Sequence, residues 1–301
     1  MTAFRRAAVA LSLTEPDVEL LRYCGIVADL DGCEQFDFVH AVAAACQPDT
    51  IGDQPELVRK MRDEIRAHFA AEAGEVKTSI HVRQGARIDA LIGFVAEHES
   101  DLILLGHRKM RSGRRSLARR LAMVAPCSVW MVPEGAPSQI SSVLAPIDFS
   151  EHSAASLSMA TQIARLQGLA ECLAVHVFFD PSTIRYDEHM DEVRGGEQEA
   201  FDRFIETVDC HGIRVTPLFE ESANVAHAIL RTAAQHAADL IVMSTRGRSR
   251  ASAILLGSVT SQVLMESQVS TLAVKQFGAK LDVLHALFDQ QFWRERSPKS
   301  N

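Results

Sequence analysis

Two tandem α/β units, each an open, doubly wound, five-stranded parallel sheet, are what this sequence predicts, and three observations predict them. The chain repeats itself: residues 36–42, Phe-Asp-Phe-Val-His-Ala-Val, match 172–178, Cys-Leu-Ala-Val-His-Val-Phe, and 101–106, Asp-Leu-Ile-Leu-Leu-Gly, match 239–244, Asp-Leu-Ile-Val-Met-Ser. The offsets are 136 and 138, so the halves agree in order and almost in spacing. Short apolar runs alternate with longer helical patterns in both halves, as βαβ units require. Between them, residues 133–139 hold two prolines, a glycine and a serine and break both periods. A length of 301 residues fits two domains of roughly 100–200 residues. The predicted division is 1–133 for the first unit, 134–141 for a linker, 142–277 for the second unit and 278–301 for a tail.

In chain order, the apolar run after Arg5 and Arg6 faintly imitates a secretory leader. It is too short and ends at Thr14-Glu-Pro-Asp17 without a small-residue cleavage site, so it reads as a buried strand at 7–11. Further strands follow at 36–41, 78–82, 101–105 and 128–132. The longest helix of this half spans 55–73, with Gly74 where a C-terminal cap belongs. The second half repeats the plan, with strands at 142–147, 172–178, 213–218, 239–243 and 271–275 and helices at 151–166, 191–210, 224–236 and 257–266. In the tail, Leu281, Leu284, Leu287, Phe288 and Phe292 recur at helical spacing beside Asp282 and Asp289. That pattern predicts a short amphipathic helix docked on this chain or on a second copy, rather than a membrane anchor.

Composition narrows the function classes. The chain is 47% hydrophobic and 23% charged, in the ordinary globular range, which argues against disorder or a disulfide-stapled scaffold. A formal charge of −8 disfavours nonspecific attraction to nucleic acid or an anionic membrane. Neither half is basic: 17 basic and 19 acidic residues precede Gln139, with 14 and 20 from there on. Six scattered cysteines form no CxxC pair, so a reducing cytoplasm is the expected home. No stretch approaches the ~20 apolar residues of a membrane span.

Ligands of open α/β sheets bind beyond the carboxyl ends of the strands, where strand order reverses. The loops after the first and fourth strands of each half are therefore the informative ones. After the fourth strand of the second half, Gly247 allows close backbone approach. Gly257-Ser258 opens a helix whose free N–H groups and dipole favour an anion. Ser258 and Thr260 offer hydroxyls, and Arg246, Arg248 and Arg250 offer charge. A phosphate cradle and a plain surface loop followed by a helix cap both fit these residues.

The same segment resembles the universal stress protein (UspA-like) family, whose nucleotide-binding members carry Gly, two residues, Gly, nine residues, then Gly-Ser/Thr. Here Gly247, nine residues and Gly257-Ser258 match the last two glycines, while Ser244 replaces the first. Val143-Leu-Ala-Pro146-Ile-Asp148-Phe-Ser-Glu151 resembles the family's first strand and turn, and Val175-His176-Val177 the end of its second strand. The resemblance covers most of 140–276 and, more weakly, the first half. It implies a Rossmann-like fold and an adenine nucleotide, ATP above all and with Mg2+ as an accompanying ion. Pro146, Asp148 and the backbone at Val177 would meet adenine and ribose. Ser244 and Gly247 would meet ribose and the α-phosphate, and Gly257, Ser258, Val259 and Thr260 the remaining phosphates. Because Ser150 can cap the helix after Asp148, that carboxylate is expected to be available to a ligand. If the place of Ser244 required left-handed geometry, its Cβ would cost about 1–2 kcal/mol.

The first half departs from the motif. Aligning backward from Ala125-Pro-Cys127 sets Lys109 and Arg115 where two of the glycines belong, and Ser12 near the place of Asp148. Loss of the cradle is expected there, leaving a structural role as the pseudo-two-fold partner of the second half. Its loop is nevertheless basic, with Arg108, Lys109, Arg111, Arg114, Arg115, Arg119 and Arg120 within thirteen residues. A solvated face, paired with acids of the other half, is the ordinary explanation. Capture of an anionic ligand or a phosphorylated partner is a second, and nucleic acid the weakest, since no aromatic residues are interleaved. His40 and His176 recur at matching strand ends as packing or hydrogen-bonding residues. Asp187, Glu188, His189, Asp191 and Glu192 form an acidic, solvated helix start, and no metal site or catalytic motif is assigned.

The expectation is thus a cytoplasmic, stress-response regulatory protein that binds an adenine nucleotide in its second half. Its halves would pair within one chain or its copies would dimerise, and a protein partner would read the nucleotide state. A nucleotide-free interaction scaffold is the alternative, and catalysis would amount at most to slow ATP hydrolysis, with no catalytic residue assigned.

Overall fold

The structure is a computed structural model. It describes residues 4–15, 17–30, 33–42, 54–69, 76–107, 120–121, 124–179, 187–245 and 257–275. The strands are β1 Arg6–Ala10, β2 Gln35–Val42, β3 Lys77–Gln84, β4 Leu102–His107 and β5 Ser128–Pro133 in the first half. In the second they are β6 Val143–Ile147, β7 Glu171–Phe178, β8 Arg214–Glu221, β9 Leu240–Ser244 and β10 Ser270–Val274. Between them lie α1 Asp17–Ala28, α2 Gln54–His68, α3 Arg87–Glu97, α4 Glu151–Leu166, α5 Asp187–Ile205, α6 Val225–Gln235 and α7 Ser258–Glu266.

The spatial order is β3-β2-β1-β4-β5-β10-β9-β6-β7-β8. Each half therefore follows the same 3-2-1-4-5 order, parallel throughout, and each reverses direction beside its own first strand. The two five-stranded units predicted from sequence do not stay separate. β5 and β10 pair antiparallel, through Thr271 with Met131, Leu272 with Trp130 and Ala273 with Val129, to make one ten-stranded sheet. The reason is legible in burial: every residue of both strands is buried, so neither serves as a solvent-facing edge. At the seam Trp130 Nε1 donates to Ser270 Oγ at 2.8 Å, and the Lys275 amide donates to Ser128 Oγ at 3.0 Å.

One core runs beneath α1, α2, α4 and α5 on one face, joining Tyr23, Phe36, Met61 and Trp130 to Leu157, Ile163, Phe204 and Leu272 across the seam. On the other face, Leu264 of α7 packs with Leu121, Ala125 and Val129 of the first half. The predicted linker is part of this body. Ile140 is fully buried, its amide donates to Gln167 Oε1 at 3.3 Å, and the Ser141 amide donates to Asp239 Oδ2 at 2.7 Å.

Local chemistry sets the helix limits. Ser150 caps α4 in a capping box with Ser153, and Asn224 caps α6 by accepting from the His227 amide. α4 ends at Gly168, whose φ of +70° lets its amide and that of Leu169 turn back to Arg165 and Ala164. α5 stops at Ile205 rather than continuing to residue 210, because Thr207 turns its hydroxyl onto the Phe204 carbonyl at 2.7 Å and the chain then reverses through His211 and Gly212 at positive φ. The tail beyond residue 275 lies outside the described residues, as does the end of the helix predicted for 55–73.

Candidate functional site

The switch point of the second half lies between β6 and β9. These strands share only two register pairs, Val143 with Leu240 and Leu144 with Ile241. The corresponding β1 and β4 share four, from Ala7 with Leu102 to Ala10 with Leu105. Pro146 accounts for the difference. The amides of Asp239 and Leu240 both donate to the Ser142 carbonyl, so by strand alternation residues 142, 144 and 146 face β9. At 146 proline has no N–H to continue the ladder. Its counterpart 136 residues earlier is Ala10, and there the ladder goes on.

Asp148 follows directly, in a turn where Phe149 has a φ of +60°. The expectation that Ser150 caps α4 holds, yet it does not leave Asp148 unengaged. Asp148 Oδ1 accepts from the Ser150 amide at 3.2 Å and from its hydroxyl at 2.5 Å, so one carboxylate oxygen fixes the turn. The first half solves the same turn with its polar groups exchanged. Leu13 has a φ of +57° where Phe149 stands, Ser12 replaces Asp148, and Asp17 replaces Ser153. Asp17 is 2% exposed and accepts from the amides of Ser12 and Leu13 at 2.8 and 2.6 Å and from the Ser12 hydroxyl at 2.9 Å. Burial raises its carboxyl above the usual 3.8 in spite of those bonds. The first half's acid is spent inside its turn.

On the other side of the switch point, Ser244 is extended in β9 and paired with Val274, so the left-handed geometry that would penalise its Cβ does not arise. Its carbonyl accepts from Thr260 Oγ1 at 2.9 Å. Thr260 is 4% exposed, and its hydroxyl hydrogen is thereby turned inward to latch α7 to β9 rather than outward. Gly257 caps α7 with φ −58° and ψ 149°, a conformation open to any residue. What matters there is space: a Cβ would stand 3.3 Å from the Thr245 carbonyl, which already accepts from the Gly257 amide at 2.9 Å. Among the described residues no side chain caps the helix, whose first turn begins at the exposed Ser258 and half-buried Val259. Gly247 lies outside the described residues.

β7 extends two residues past the end of β6. Ile147 pairs with His176, while Val177 and Phe178 pair only with Glu220 and Glu221 of β8. The backbone of Val177 thus borders the switch point on the β6 side. His176 and His40 are hydrogen-bonding residues, as read from the sequence: each Nδ1 meets the carbonyl of the last residue of the neighbouring strand region, Ile147 and Leu11, at 2.9 Å.

The structure therefore brings Pro146, Asp148, Val177, Ser244, Gly257, Ser258, Val259 and Thr260 to one end of the sheet. Of the basic patch, only Arg120 is described, and it is exposed; Arg108, Lys109, Arg111, Arg114, Arg115 and Arg119 lie outside the described residues. His107, at the matching strand end of the first half, has its imidazole pushed toward the neutral form by burial. Burial likewise raises the thiols of Cys33, Cys127 and Cys172 to about 11, 12 and 12, which keeps them unreactive. Sequence reasoning missed Phe149 and Glu197, which meet His176 from either side; the positive-φ turn and the helix face that place them carry no motif. Among the described residues, no helix is long and apolar enough to cross a membrane.

Comparison with known proteins agrees with the fold. The sequence model of the Universal stress protein family matches twice, over residues 4–133 and 140–275, and the chain belongs to that family. No curated protein matches it. Among solved structures it is similar to a universal stress protein from Archaeoglobus fulgidus DSM 4304, at 18% identity and a TM-score of 0.63 over 90% of this chain and 98% of that one. It is also similar to a putative universal stress protein from Pseudomonas aeruginosa UCBPP-PA14, at 18% identity and a TM-score of 0.64 over 94% and 98% of the two chains. A functionally unknown protein from Pseudomonas aeruginosa PAO1 matches at 17% and 0.64 over 94% and 97%. At these identities the likeness is one of fold.

Proposed function

We propose that this universal stress protein binds one adenine nucleotide, ATP in the first instance, in the crevice of its second half, and that the first half is its nucleotide-free structural partner. The observation that carries the reading is the end of the β6–β9 ladder at Pro146, at the same end of the sheet as the first turn of α7, which no described side chain caps. Loops that diverge beyond the strand ends at a switch point leave room for a planar base and a sugar. The helix N-terminus favours the phosphates through its amides and its dipole. Gly257, packed against the Thr245 carbonyl, keeps side-chain bulk from that approach. The first half differs in two of these parts: the β1–β4 ladder runs on to Ala10, and its carboxylate is buried within its own turn. The proposed role is regulatory, in the cytoplasm, with the nucleotide favouring one state that a protein partner reads.

Native mass spectrometry and calorimetry of the purified chain at millimolar ATP test this. One adenine nucleotide per chain is expected, lost in Gly257→Arg and weakened in Asp148→Ala. No bound nucleotide refutes the reading in favour of a nucleotide-free scaffold, two per chain refute the asymmetry between halves, and rapid product release makes the protein an ATP hydrolase.

A further inference from the structure

Next to the turn at Asp148, a contact between α5 and β7 has no counterpart among the described residues of the first half. His176 is 7% exposed. Its Nδ1 faces the Ile147 carbonyl at 2.9 Å, and since a carbonyl only accepts, Nδ1 carries the hydrogen. Its Nε2 lies 3.4 Å from Glu197 Oε2, on the face of α5 turned to the sheet. Phe149 packs tilted against the same imidazole, with ring centroids 4.2 Å apart and an interplanar angle of 31°. Ile147 and Phe149 are the two chain neighbours of Asp148. The ring therefore grips the backbone before Asp148 and the side chain after it, and Glu197 holds the ring in its imidazolium form, the one in which Nε2 too carries a hydrogen to donate.

Comparison with the first half separates this from ordinary packing. His40 makes the same carbonyl contact with Leu11, which is its one polar partner among the described residues, and Leu13 stands where Phe149 does. The grip on the strand end is common to both halves. Among the described residues, the tilted aromatic and the carboxylate occur only in the half whose turn presents Asp148.

We infer that Glu197 is a positioning residue for the nucleotide site, acting through His176 to fix the turn that aims Asp148 at the adenosine end of the ligand. The inference rests on the nucleotide reading above and adds a residue of α5 to it. Because α5 also forms one wall of an open groove of about 780 Å³, whose opposite wall includes Phe149, Ser150 and Glu151, a displacement of α5 reaches the turn by this route.

Calorimetry on the full chain with ATP, adenosine and inorganic triphosphate distinguishes the outcomes. Glu197→Ala is expected to weaken ATP and adenosine alike, by about 5–20-fold, the scale of one lost charged contact. Triphosphate, held at α7, stays within twofold of wild type, as does the melting temperature of the nucleotide-free chain within about 2 °C. Glu197→Gln keeps an acceptor at the same place and restores adenosine binding to within threefold. Wild-type adenosine affinity in Glu197→Ala overturns the inference while leaving the nucleotide reading intact. Equal loss of triphosphate binding, or a large fall in melting temperature, also overturns it, by showing that Glu197 supports the whole fold. Absence of ATP binding in the wild-type chain overturns the underlying reading instead.

Discussion

If the ladder between β6 and β9 stops because Pro146 lacks an N–H, then Pro146→Ala lengthens it and the loss is confined to ligand binding. Residue 146 faces β9, and parallel register carries on from Leu144 with Ile241 to set 146 opposite Met243. An alanine there regains an N–H able to donate to the Val242 carbonyl, as the equivalent Ala10 sits paired with Leu105 in the first half. One added backbone hydrogen bond contributes about 0.5–1.5 kcal/mol. Removing proline from a compatible site costs about 0.4–1 kcal/mol through the freer unfolded chain. The two nearly cancel, so the melting temperature moves by no more than about 2–3 °C in either direction. Nucleotide affinity, by contrast, falls by tenfold or more, because a longer ladder reshapes the loop that carries Asp148. Amide hydrogen exchange reads the cause directly: the new amide at 146 is protected to the level of its strand neighbours, and calorimetry with ATP reads the consequence. An amide at 146 that exchanges freely, together with unchanged affinity, refutes the claim that the missing donor shapes the site.

Four further perturbations test separate parts of the account. Gly257→Ala puts a Cβ 3.3 Å from the Thr245 carbonyl; as the backbone there is unstrained, it lowers stability by about 1 kcal/mol or less, seen as a small shift in denaturant midpoint, yet weakens triphosphate binding severalfold. Asp17→Ala removes the acceptor of two part-buried amides and a hydroxyl and is expected to cost about 1–3 kcal/mol in chemical denaturation, whereas Asp17→Asn retains an acceptor and costs less. The folded chain holds the Asp17 proton to higher pH than the unfolded chain does, so this group's contribution falls as pH rises above the ordinary 3.8; the difference between wild type and Asp17→Asn across that range isolates the slope, and a slope of opposite sign refutes the assignment. Tyr23 is fully buried, burial raises its phenol to about 12 against a lowering contact from Ser270, and its hydroxyl meets no partner at full hydrogen-bond geometry among the described residues, so Tyr23→Phe is neutral or stabilising by up to about 1 kcal/mol, and a loss above 2 kcal/mol contradicts that reading.

The fold was legible in the sequence because repetition and burial speak through composition. Apolar runs such as 102–105 and 240–243 mark strands buried on both faces, and a recurring offset near 136 reveals that one plan was used twice. The seam was not legible. Ser128–Pro133 and Ser270–Val274 read simply as fifth strands, and which edge each lends to the other is decided by contacts far apart in the chain, such as Trp130 with Ser270. The site divides in the same way. Pro146, Asp148 and Gly257-Ser258 announce themselves as residue types with special backbone or charge properties. Glu197 and Phe149 do not, since a glutamate on a polar helix and a phenylalanine after an aspartate are ordinary until the fold sets them on either side of one imidazole.

Asymmetry between the halves then follows from a few exchanges within a shared frame. Both first strands end in a positive-φ turn, both are gripped by a histidine from the second strand, and both turns need an acceptor for their amides. The first half meets that need with Asp17, drawn inside the helix start, and keeps a hydroxyl at Ser12. The second places the carboxylate at the turn itself, in Asp148, and lets Ser153 complete the cap. Exchanging an acid and a hydroxyl across five residues leaves the turn satisfied in both cases, so stability alone does not distinguish them. What differs is which residue carries the carboxylate, and on the nucleotide reading proposed above that difference matters only beside Pro146, where the β6–β9 ladder ends. Transplanting the pair into the first half, as Ser12→Asp with Asp17→Ser, is therefore expected to leave the fold intact and still create no nucleotide site while Ala10 keeps β1 paired with β4. A second bound nucleotide in that variant would show that the carboxylate, and not the shortened ladder, decides where the ligand goes.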